Sequence, residues 1–431
     1  MKSREEVLER ALTLYQSGFR EAPEERIGVE SELLLVKHDG SAGNLREFFR
    51  TFGTLLSDWE ACYDEDGMLK GYAKNGVMVT FDAGTQLELI LPPQRGLVEL
   101  AREERKYTSL LVQVAQEAGM RILGLGIQPL AHPSPRLWNR TRRYDAYRQC
   151  LPGTVDVVTI TASRQFHNDV PRTHAARVAS AMNAAASLLP ALAAASSVWI
   201  GRGDPKGRMA VREDCWFWFA EEDRISLPRW VDSLEQYLQW LLSLPLLFWQ
   251  DRDSKYHVCR ERIPCVDFLR DDRIFEELFE SVLWLHEGCV WPPYRLRGRY
   301  GTGEMRSVCQ QPKELGVAFE ALTLGWTRNW EQLAAFAREF PWEFWKQVRK
   351  ASIFRGLAGA VQCGTLPNAV IVRDLALEMV AIAMEGLQDA ERSHLAPILD
   401  MLALAREASA QKCVRLAAQY GAKELIRQFS Y

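Results

Sequence analysis

The sequence predicts an α+β fold, in which a mixed or antiparallel sheet carries helices on one side. Strand-like apolar runs occur up to about residue 310, and they are not spaced as regular βαβ units. Beyond that point apolar positions recur almost only with the 3.6-residue period of helices. We therefore expect an α+β domain over residues 1–310 and an all-helical C-terminal region over 311–431 that packs on it.

Local patterns place the individual elements. The amphipathic opening "MKSREEVLERALTLYQSGF" predicts a helix. Strand-like patterns predict strands at 27–36, 85–91, 121–127 and 157–167 and in a stretch that ends with 303–307. Helical periodicity follows at 94–118, 171–193, 230–243 and 274–287. Strong helix formers predict C-terminal helices at 313–338, 341–350, 369–386, 389–408 and 411–428.

Composition excludes several classes of function. The net charge of −3 gives no field that would attract nucleic acid or an anionic membrane. The nine cysteines are scattered without a CxxC pair, which argues against disulfides and zinc and favours a reducing cytoplasm. No export signal is evident, and the alanine-rich stretch 175–200 is typical of a core helix. We expect a cytoplasmic protein, monomeric or homodimeric, with small-molecule partners.

Four predicted strands carry two polar residues at i and i+2, which share one face of a strand about 6.5–7 Å apart. The pairs are Glu30 and Glu32, Gln86 and Glu88, Gln165 and His167, and Glu304 and Arg306. One such pair is ordinary on a half-exposed antiparallel strand. Four pairs on separate strands predict a single acidic basin, provided that the strands are neighbours.

The basin would need a compensating charge. Two carboxylates ~7 Å apart repel by roughly 2–3 kcal/mol at an effective dielectric constant near 20, and divalent cations remove this penalty. Oxygen ligands with at most one imidazole suit Mg²⁺ or Mn²⁺ better than zinc. Nearby segments also supply arginines, among them Arg212 and Arg306, and this combination is typical of phosphoryl transfer. Since the sequence has no Walker or GxGxxG loop, a nucleotide must be held in another way.

The chain resembles the plant-type glutamate–cysteine ligases and related carboxylate–amine ligases. "RIGVESELLLV" is similar to the opening strand of that family, "FDAGTQLELILPP" to its second strand and "GEMRS" to its late Glu-x-Arg strand. The segments "LGLGIQPLAHP", "RRYDAYRQCLPG", "SRQFHND", "SSVWIGRGDPKGRMAVREDCW" and "LEQYLQWLLSLPLLFW" come in the same order. The resemblance implies a glutamine-synthetase-like catalytic fold.

The resemblance also implies an activity and roles for the polar residues. ATP would phosphorylate the γ-carboxylate of glutamate, and the amine of cysteine would displace phosphate to form γ-glutamylcysteine, a step of glutathione biosynthesis. The metal ligands that the resemblance implies are Glu30, Glu32, Glu88, Glu304 and His167. Substrate or ATP contacts by resemblance are Gln86, Gln165, Arg212, Trp216 and Arg306. Glu30, Glu304 and Arg306 form the catalytic set.

Three departures leave alternatives open. Ser307-Val308-Cys309 stands where the family usually has Gly-Ala-Asp, Ser31 and Leu33 replace part of a His-Glu-Lys run, and His167 replaces a common asparagine. The same ligase chemistry with another amino-acid or amine acceptor is therefore an alternative to γ-glutamylcysteine synthesis. A non-catalytic relative that binds an amino acid or nucleotide is a second alternative, although a dead site has no need for mutually repelling carboxylates.

Overall fold

A computed structural model describes residues 1–364, 368–404 and 407–431. Its strands are β1 (Ile27–Lys37), β2 (Glu60–Tyr63), β3 (Leu69–Lys74), β4 (Val77–Phe81), β5 (Gln86–Gln94), β6 (Met120–Leu123), β7 (Ser163–Asp169), β8 (Val198–Trp199), β9 (Arg202–Gly203), β10 (Phe248–Gln250), β11 (Tyr256–Val258), β12 (Tyr294–Arg297), β13 (Thr302–Cys309), β14 (Ala360–Val361) and β15 (Val370–Ile371). Nine of them form one antiparallel sheet in the order β12-β13-β7-β1-β5-β4-β3-β2, with β6 paired to β1. The expected α+β class is confirmed.

Helices precede, connect and follow these strands. Up to residue 310 they are α1 (Arg4–Gly18), α2 (Leu45–Leu55), α3 (Leu97–Glu117), α4 (Arg142–Cys150), α5 (Ala175–Ala186), α6 (Leu189–Leu192), α7 (Val211–Cys215), α8 (Glu222–Ile225), α9 (Leu234–Ser243), α10 (Cys265–Phe268), α11 (Asp272–Glu277) and α12 (Phe279–Gly288). Beyond it they are α13 (Ala318–Arg328), α14 (Trp330–Ala337), α15 (Trp342–Arg355), α16 (Val372–Gly386), α17 (Asp389–Arg392), α18 (Ala396–Ala403), α19 (Ser409–Tyr420) and α20 (Lys423–Gln428). No helix in the described ranges is long and apolar enough to span a membrane.

The alternation of residues along β1 decides which face of the sheet is core. Val29, Leu33 and Leu35 are buried on one face, against which α3, α5 and α13 pack. The side chains of α5 are almost all small and buried, so this helix lies close to the sheet. The other face of β1, which carries Glu30 and Glu32, is thereby left for a cavity.

A buried ionic group sits on the helical side, behind the strands that carry the polar pairs. Arg164, on the core face of β7, contacts Glu104 of α3 at 2.6 Å and also pairs with Glu320 of α13. Ser31 Oγ lies 3.4 Å from the same Glu104 carboxylate. This group ties two helices to the back of the sheet.

Several elements were not predicted. The segment 60–81 folds as β2, β3 and β4, and 294–297 as β12, although their mixed polar sequences lack the alternation of a half-buried strand. The hairpin of β14 and β15 interrupts the C-terminal region that was expected to be all helical. Part of the helix predicted at 389–408 lies outside the described residues, at 405–406. The domain boundary at 310 stays a prediction, because one hydrophobic core contains residues from both sides of it.

Candidate active site

The strand register brings the predicted polar pairs together. Across β1 and β5, Glu32 lies directly opposite Glu88, and across β1 and β7, Glu30 lies opposite Gln165. His167 lies opposite Glu304 across β7 and β13. Because directly opposed residues of an antiparallel pair point to the same face, the polar pairs share one surface. The expected neighbourhood of these four strands is confirmed.

This surface forms the floor of a cavity of about 360 Å³. Its floor carries Glu30, Glu32, Glu88, Gln165 and Glu304, and its sides carry Arg212 and Arg306. The opposite wall consists largely of aromatic side chains that come from α4, from the turn after α7 and from the loop before β12. A site of this size and mixed polarity suits a small organic molecule.

One part of the floor holds carboxylates that repel each other. Burial raises the pKa of Glu32 to about 7, and the charge of Asp82 acts in the same direction. Burial, followed by the charges of Glu30, Asp82 and Glu32, raises the pKa of Glu88 well above its usual range. Both carboxyl groups would gain from a cation that neutralises them.

Glu30 has a different neighbour. Its Oε1 lies 3.2 Å from Nε2 of His167, although this nitrogen is not aligned for a hydrogen bond. Burial opposes the ionisation of Glu30, but His167 and Arg297 together lower the pKa of the carboxyl group. The His167 side chain faces a second cavity, of about 470 Å³, which also contacts Glu30.

The other part of the floor is an arginine cluster around one buried glutamate. Both carboxylate oxygens of Glu304 accept hydrogen bonds from Arg295, at 2.8 to 3.1 Å, and Arg297 donates another at 2.9 Å. Arg306 also donates to this carboxylate. Although burial opposes ionisation, Arg295, Arg306 and Arg297 hold the pKa of Glu304 well below its usual range. Glu304 is therefore placed differently from the metal ligand that we expected, because the arginines already compensate its negative charge.

Gln165 joins the two parts. Its Nε2 donates to Glu32 Oε1 at 2.9 Å, while its Oε1 accepts from Arg306 Nη1 at 2.7 Å. The Glu32 carboxylate is fixed further by the backbone N–H of Ser163 at 2.6 Å. Gln165 therefore sets the separation between the carboxylates and the arginines.

Arg212 and Trp216 enter the cavity from α7 and the turn that follows it. The buried Arg212 donates to Glu213 Oε1 at 2.7 Å and, at 3.3 Å, to the carbonyl oxygen of Arg306. Glu213 also accepts a hydrogen bond from Ser307 Oγ at 2.9 Å. Ser307, one of the departures noted in the sequence, thus helps to hold an arginine at the cavity wall.

Gln86 needs a correction. It lies on the same strand face as Glu88, but it is fully buried and absent from the cavity lining. Its amide nitrogen donates to the carbonyl oxygens of Val158 and Thr161 at 2.5 and 2.6 Å, and its oxygen accepts from the Gly84 N–H at 2.7 Å. The nitrogen and the oxygen of the amide are thus already hydrogen-bonded to backbone groups next to the strand, so the side chain is not available to a ligand.

The glycine before Gln86 has a packing role. A Cβ on Gly84 would lie 2.0 Å from the carbonyl oxygen of Thr159, so only glycine allows this close approach. The tight contact brings Asp82 to the cavity, where its Oδ1 accepts a hydrogen bond from the Tyr144 hydroxyl at 2.7 Å.

Sequence reasoning missed several residues of the site. Asp82 precedes the second polar pair but lies outside its i, i+2 pattern, and Tyr144 carries no local signal. Arg295 and Arg297 have the same i, i+2 spacing on β12 as the four pairs. The short strand β12 was not predicted, so the signal could not be placed.

Across the described residues, no three His, Cys, Asp or Glu side chains converge as a ready metal site. The donor set nevertheless fits Mg²⁺, which keeps several waters and is usually held by one or two carboxylates together with substrate phosphates. Glu32 and Glu88 provide two such carboxylates on neighbouring strands, and Arg212 and Lys70 offset their negative charge only in part.

Comparison with known proteins places this cavity in a family. The model of the glutamate–cysteine ligase family 2 (GCS2) matches residues 26–337, which include every strand of the cavity floor. The chain belongs to glutamate–cysteine ligase family 2. The suspected resemblance is thereby confirmed.

Curated relatives are distant. The chloroplastic glutamate–cysteine ligase of Brassica juncea is 26% identical over 260 residues, which cover 56% of this chain and 49% of that protein. The enzyme of the same name from Medicago truncatula is 23% identical over 408 residues, which cover 86% of this chain and 74% of that protein. The chain spans about half the length of most of the curated relatives that it matches.

Two solved structures show the same fold. A glutamate–cysteine ligase from Francisella tularensis in complex with AMP has a TM-score of 0.63 at 13% identity and covers 96% of this chain and 88% of its own. A bifunctional glutathione synthetase from Pasteurella multocida has a TM-score of 0.54 at 14% identity and covers 98% of this chain and 53% of its own. At these identities the likeness concerns the fold alone.

Proposed function

We propose that this family member is an ATP-dependent carboxylate–amine ligase. The observation that carries the proposal is a single cavity in which the carboxylates of Glu32 and Glu88 lie beside Arg212 and Arg306. Neighbouring buried carboxylates suit the metal that accompanies a nucleoside triphosphate, and arginines suit the phosphoryl group and a substrate carboxylate. Family membership supports the same chemistry.

Glutamate is the donor that we propose, since the curated relatives are named glutamate–cysteine ligases. An oxygen of the γ-carboxylate attacks the γ-phosphorus of ATP, and the bond to ADP breaks. The amine nitrogen of the acceptor then attacks the acyl carbon, the bond to phosphate breaks, and the proton of the nitrogen leaves with the phosphate. Cysteine is the acceptor named by the relatives.

The residues of the cavity have distinct proposed roles. Bound Mg²⁺ would neutralise phosphate charge, and Glu32 and Glu88 are the side chains placed to hold it, with Glu30 beside them. Arg306 and Arg212 would bind the donor carboxylate or the transferring phosphoryl group, because both guanidinium groups line the cavity. Gln165 keeps Glu32 and Arg306 in register through hydrogen bonds to both. Glu304 anchors the arginines.

Phosphate release from ATP tests the proposal. We would mix the protein with ATP, Mg²⁺ and glutamate, add common amino acids and small amines one at a time, and measure product masses in parallel. We expect release that depends on both glutamate and an amine, together with the mass of a γ-glutamyl amide. Alanine at Glu30 or Glu304 should abolish turnover, whereas the exposed helix variant Glu117→Gln should not change it. Unchanged turnover in both alanine variants would contradict the roles proposed for Glu30 and Glu304.

A further inference from the structure

The wall opposite the carboxylates is aromatic over most of its extent. We call it the aromatic wall, and its members are Trp138, Tyr144, Tyr147, Trp216, Phe219 and Trp291. Trp291 lies at its centre, with ring centroids 5.5 Å from Trp216, 6.1 Å from Tyr147 and 6.2 Å from Phe219. These four rings form one cluster contributed by three separate segments of the chain, and Trp138 and Tyr144 form a second ring pair at 5.7 Å.

Three polar atoms of this wall already have partners. Trp138 Nε1 donates to Asp156 at 2.6 Å, and the Tyr144 hydroxyl donates to Asp82 at 2.7 Å. The Tyr147 hydroxyl lies 3.3 Å from Cys289 Sγ. The wall therefore offers mainly ring faces, and it suits an apolar or aromatic ligand group.

The nucleotide has room elsewhere. The second cavity, of about 470 Å³, meets the first at Glu30 and Arg297 and is lined by Arg20, Arg26 and Tyr300 among others. Both arginines pair with Glu24, which lines the same cavity. Their guanidinium groups suit phosphates, and Tyr300 offers a ring to a base. The aromatic wall is therefore free for the third substrate, the acceptor.

We propose that the acceptor is a primary amine whose apolar or aromatic group is larger than the thiol-bearing methylene of cysteine and packs on the aromatic wall. This inference rests on the proposed ligase function. A small side chain would leave most of the rings facing water, whereas a larger apolar group removes both surfaces from water and lowers the KM. The bond changes are those of the ligase reaction: the nitrogen–carbon bond forms, and the bond from carbon to phosphate breaks.

A matched acceptor series tests the proposal. With ATP, Mg²⁺ and glutamate held constant, we would compare alanine, cysteine, leucine, phenylalanine and phenethylamine by phosphate release and product mass. We expect kcat/KM to rise with apolar size and to be at least tenfold higher for phenylalanine or phenethylamine than for cysteine. Cysteine as the preferred acceptor would overturn the inference.

Hydroxylamine separates this inference from the function on which it rests. Hydroxylamine attacks an acyl phosphate without needing the aromatic wall, so glutamyl hydroxamate reports the first half of the reaction alone. Hydroxamate without amide formation from leucine, phenylalanine or phenethylamine would overturn the acceptor inference only. The absence of hydroxamate would overturn the ligase function, and the acceptor inference with it.

Two variants locate the acceptor. Trp291→Leu should raise the KM of the acceptor at least tenfold, while the KM values of ATP and glutamate stay within twofold. Trp230→Leu is the matched control, because this ring packs on Trp342 outside the cavity. A rise in the KM of ATP in Trp291→Leu would overturn the proposal, since it would place the base on the wall. Retained hydroxamate formation shows that the variant is folded.

Discussion

Arg295 donates hydrogen bonds to both oxygens of the Glu304 carboxylate. Its Nε lies 3.1 Å from one oxygen, and its Nη2 lies 2.8 and 3.0 Å from the two oxygens. Both side chains are buried, and Arg297 and Arg306 reach the same carboxylate. Three guanidinium groups thus surround one carboxylate, and Glu287 lies 3.0 Å from Arg297 Nε. The guanidinium groups are thereby held in fixed positions for an incoming carboxylate or phosphoryl group.

Removing this anchor should destabilise the protein strongly. Glu304→Gln leaves Arg295 buried without its charge partner, and such changes typically cost about 3–5 kcal/mol. Urea unfolding followed by tryptophan fluorescence measures the loss. Glu424→Gln, which breaks an exposed pair with Arg427, is the control and should leave the unfolding midpoint nearly unchanged. Equal midpoints for the two variants would contradict the role of Glu304 as an anchor.

A second prediction concerns the buried ionic group behind the sheet. Burial raises the pKa of Glu320 to about 7, with Arg164 opposing the shift and Glu104 adding to it. A carboxyl group whose pKa is higher in the folded state binds its proton more tightly there, so folding is favoured at low pH. The contribution of Glu320 is complete below pH 4.5 and is lost as the pH rises to about 7, by roughly 2–4 kcal/mol.

Chemical unfolding at several pH values checks this prediction. As the pH rises from about 4.5 to 7, the unfolding free energy of the wild type should fall relative to that of Glu320→Gln. Glu104→Gln is the matched variant, because it removes the neighbouring charge, lowers the pKa of Glu320 and moves the loss to lower pH. A difference that does not depend on pH would contradict the prediction.

The floor of the site could be predicted from the sequence, whereas its walls could not. Glu30, Glu32, Glu88 and Gln165 follow from an i, i+2 pattern, because the period of a strand fixes which side chains share a face. These side chains come together only if their strands are neighbours, and the antiparallel sheet places the strands side by side.

The remainder depends on contacts between distant segments. Trp138, Trp216 and Trp291 line the same cavity although they are far apart in sequence, and no local period of the sequence predicts this. Glu304 illustrates the same limit, since its position on the shared face was predicted but its three arginine partners were not. The burial of Gln86 depends on a loop that folds over the strand, which the sequence does not reveal.

A third prediction concerns Glu213, which holds Arg212 at the cavity wall. Its two oxygens accept from Arg212 at 2.7 Å and from Ser307 at 2.9 Å, and Arg349 lies 3.4 Å away. Glu213→Gln removes the charge that fixes Arg212, and hydrogen bonds to charged groups are worth about 1.5–3 kcal/mol. We expect kcat/KM for glutamate to fall roughly 10- to 100-fold, with the KM of ATP little changed.

Steady-state kinetics with ATP and glutamate varied separately measure this effect. Ser307→Ala removes only the neutral partner of Glu213 and should cause a smaller loss of kcat/KM. Thermal unfolding of each variant shows whether the fold is kept. Equal losses for both substrates in Glu213→Gln would point to general damage and contradict a specific role in placing Arg212.

The last prediction concerns Mg²⁺ and the pair Glu32 and Glu88, which oppose each other across two strands. Burial and neighbouring negative charge raise the pKa of both carboxyl groups, so a divalent cation should favour their ionised forms. Glu88→Gln removes one oxygen ligand and its charge, and we expect the Mg²⁺ concentration for half-maximal phosphate release to rise at least tenfold. Glu117→Gln removes an equal charge at the exposed end of α3 and should leave that concentration unchanged. Chelation of Mg²⁺ with EDTA should stop phosphate release, and added Mg²⁺ should restore it. An unchanged Mg²⁺ requirement in Glu88→Gln would show that the cation is held elsewhere.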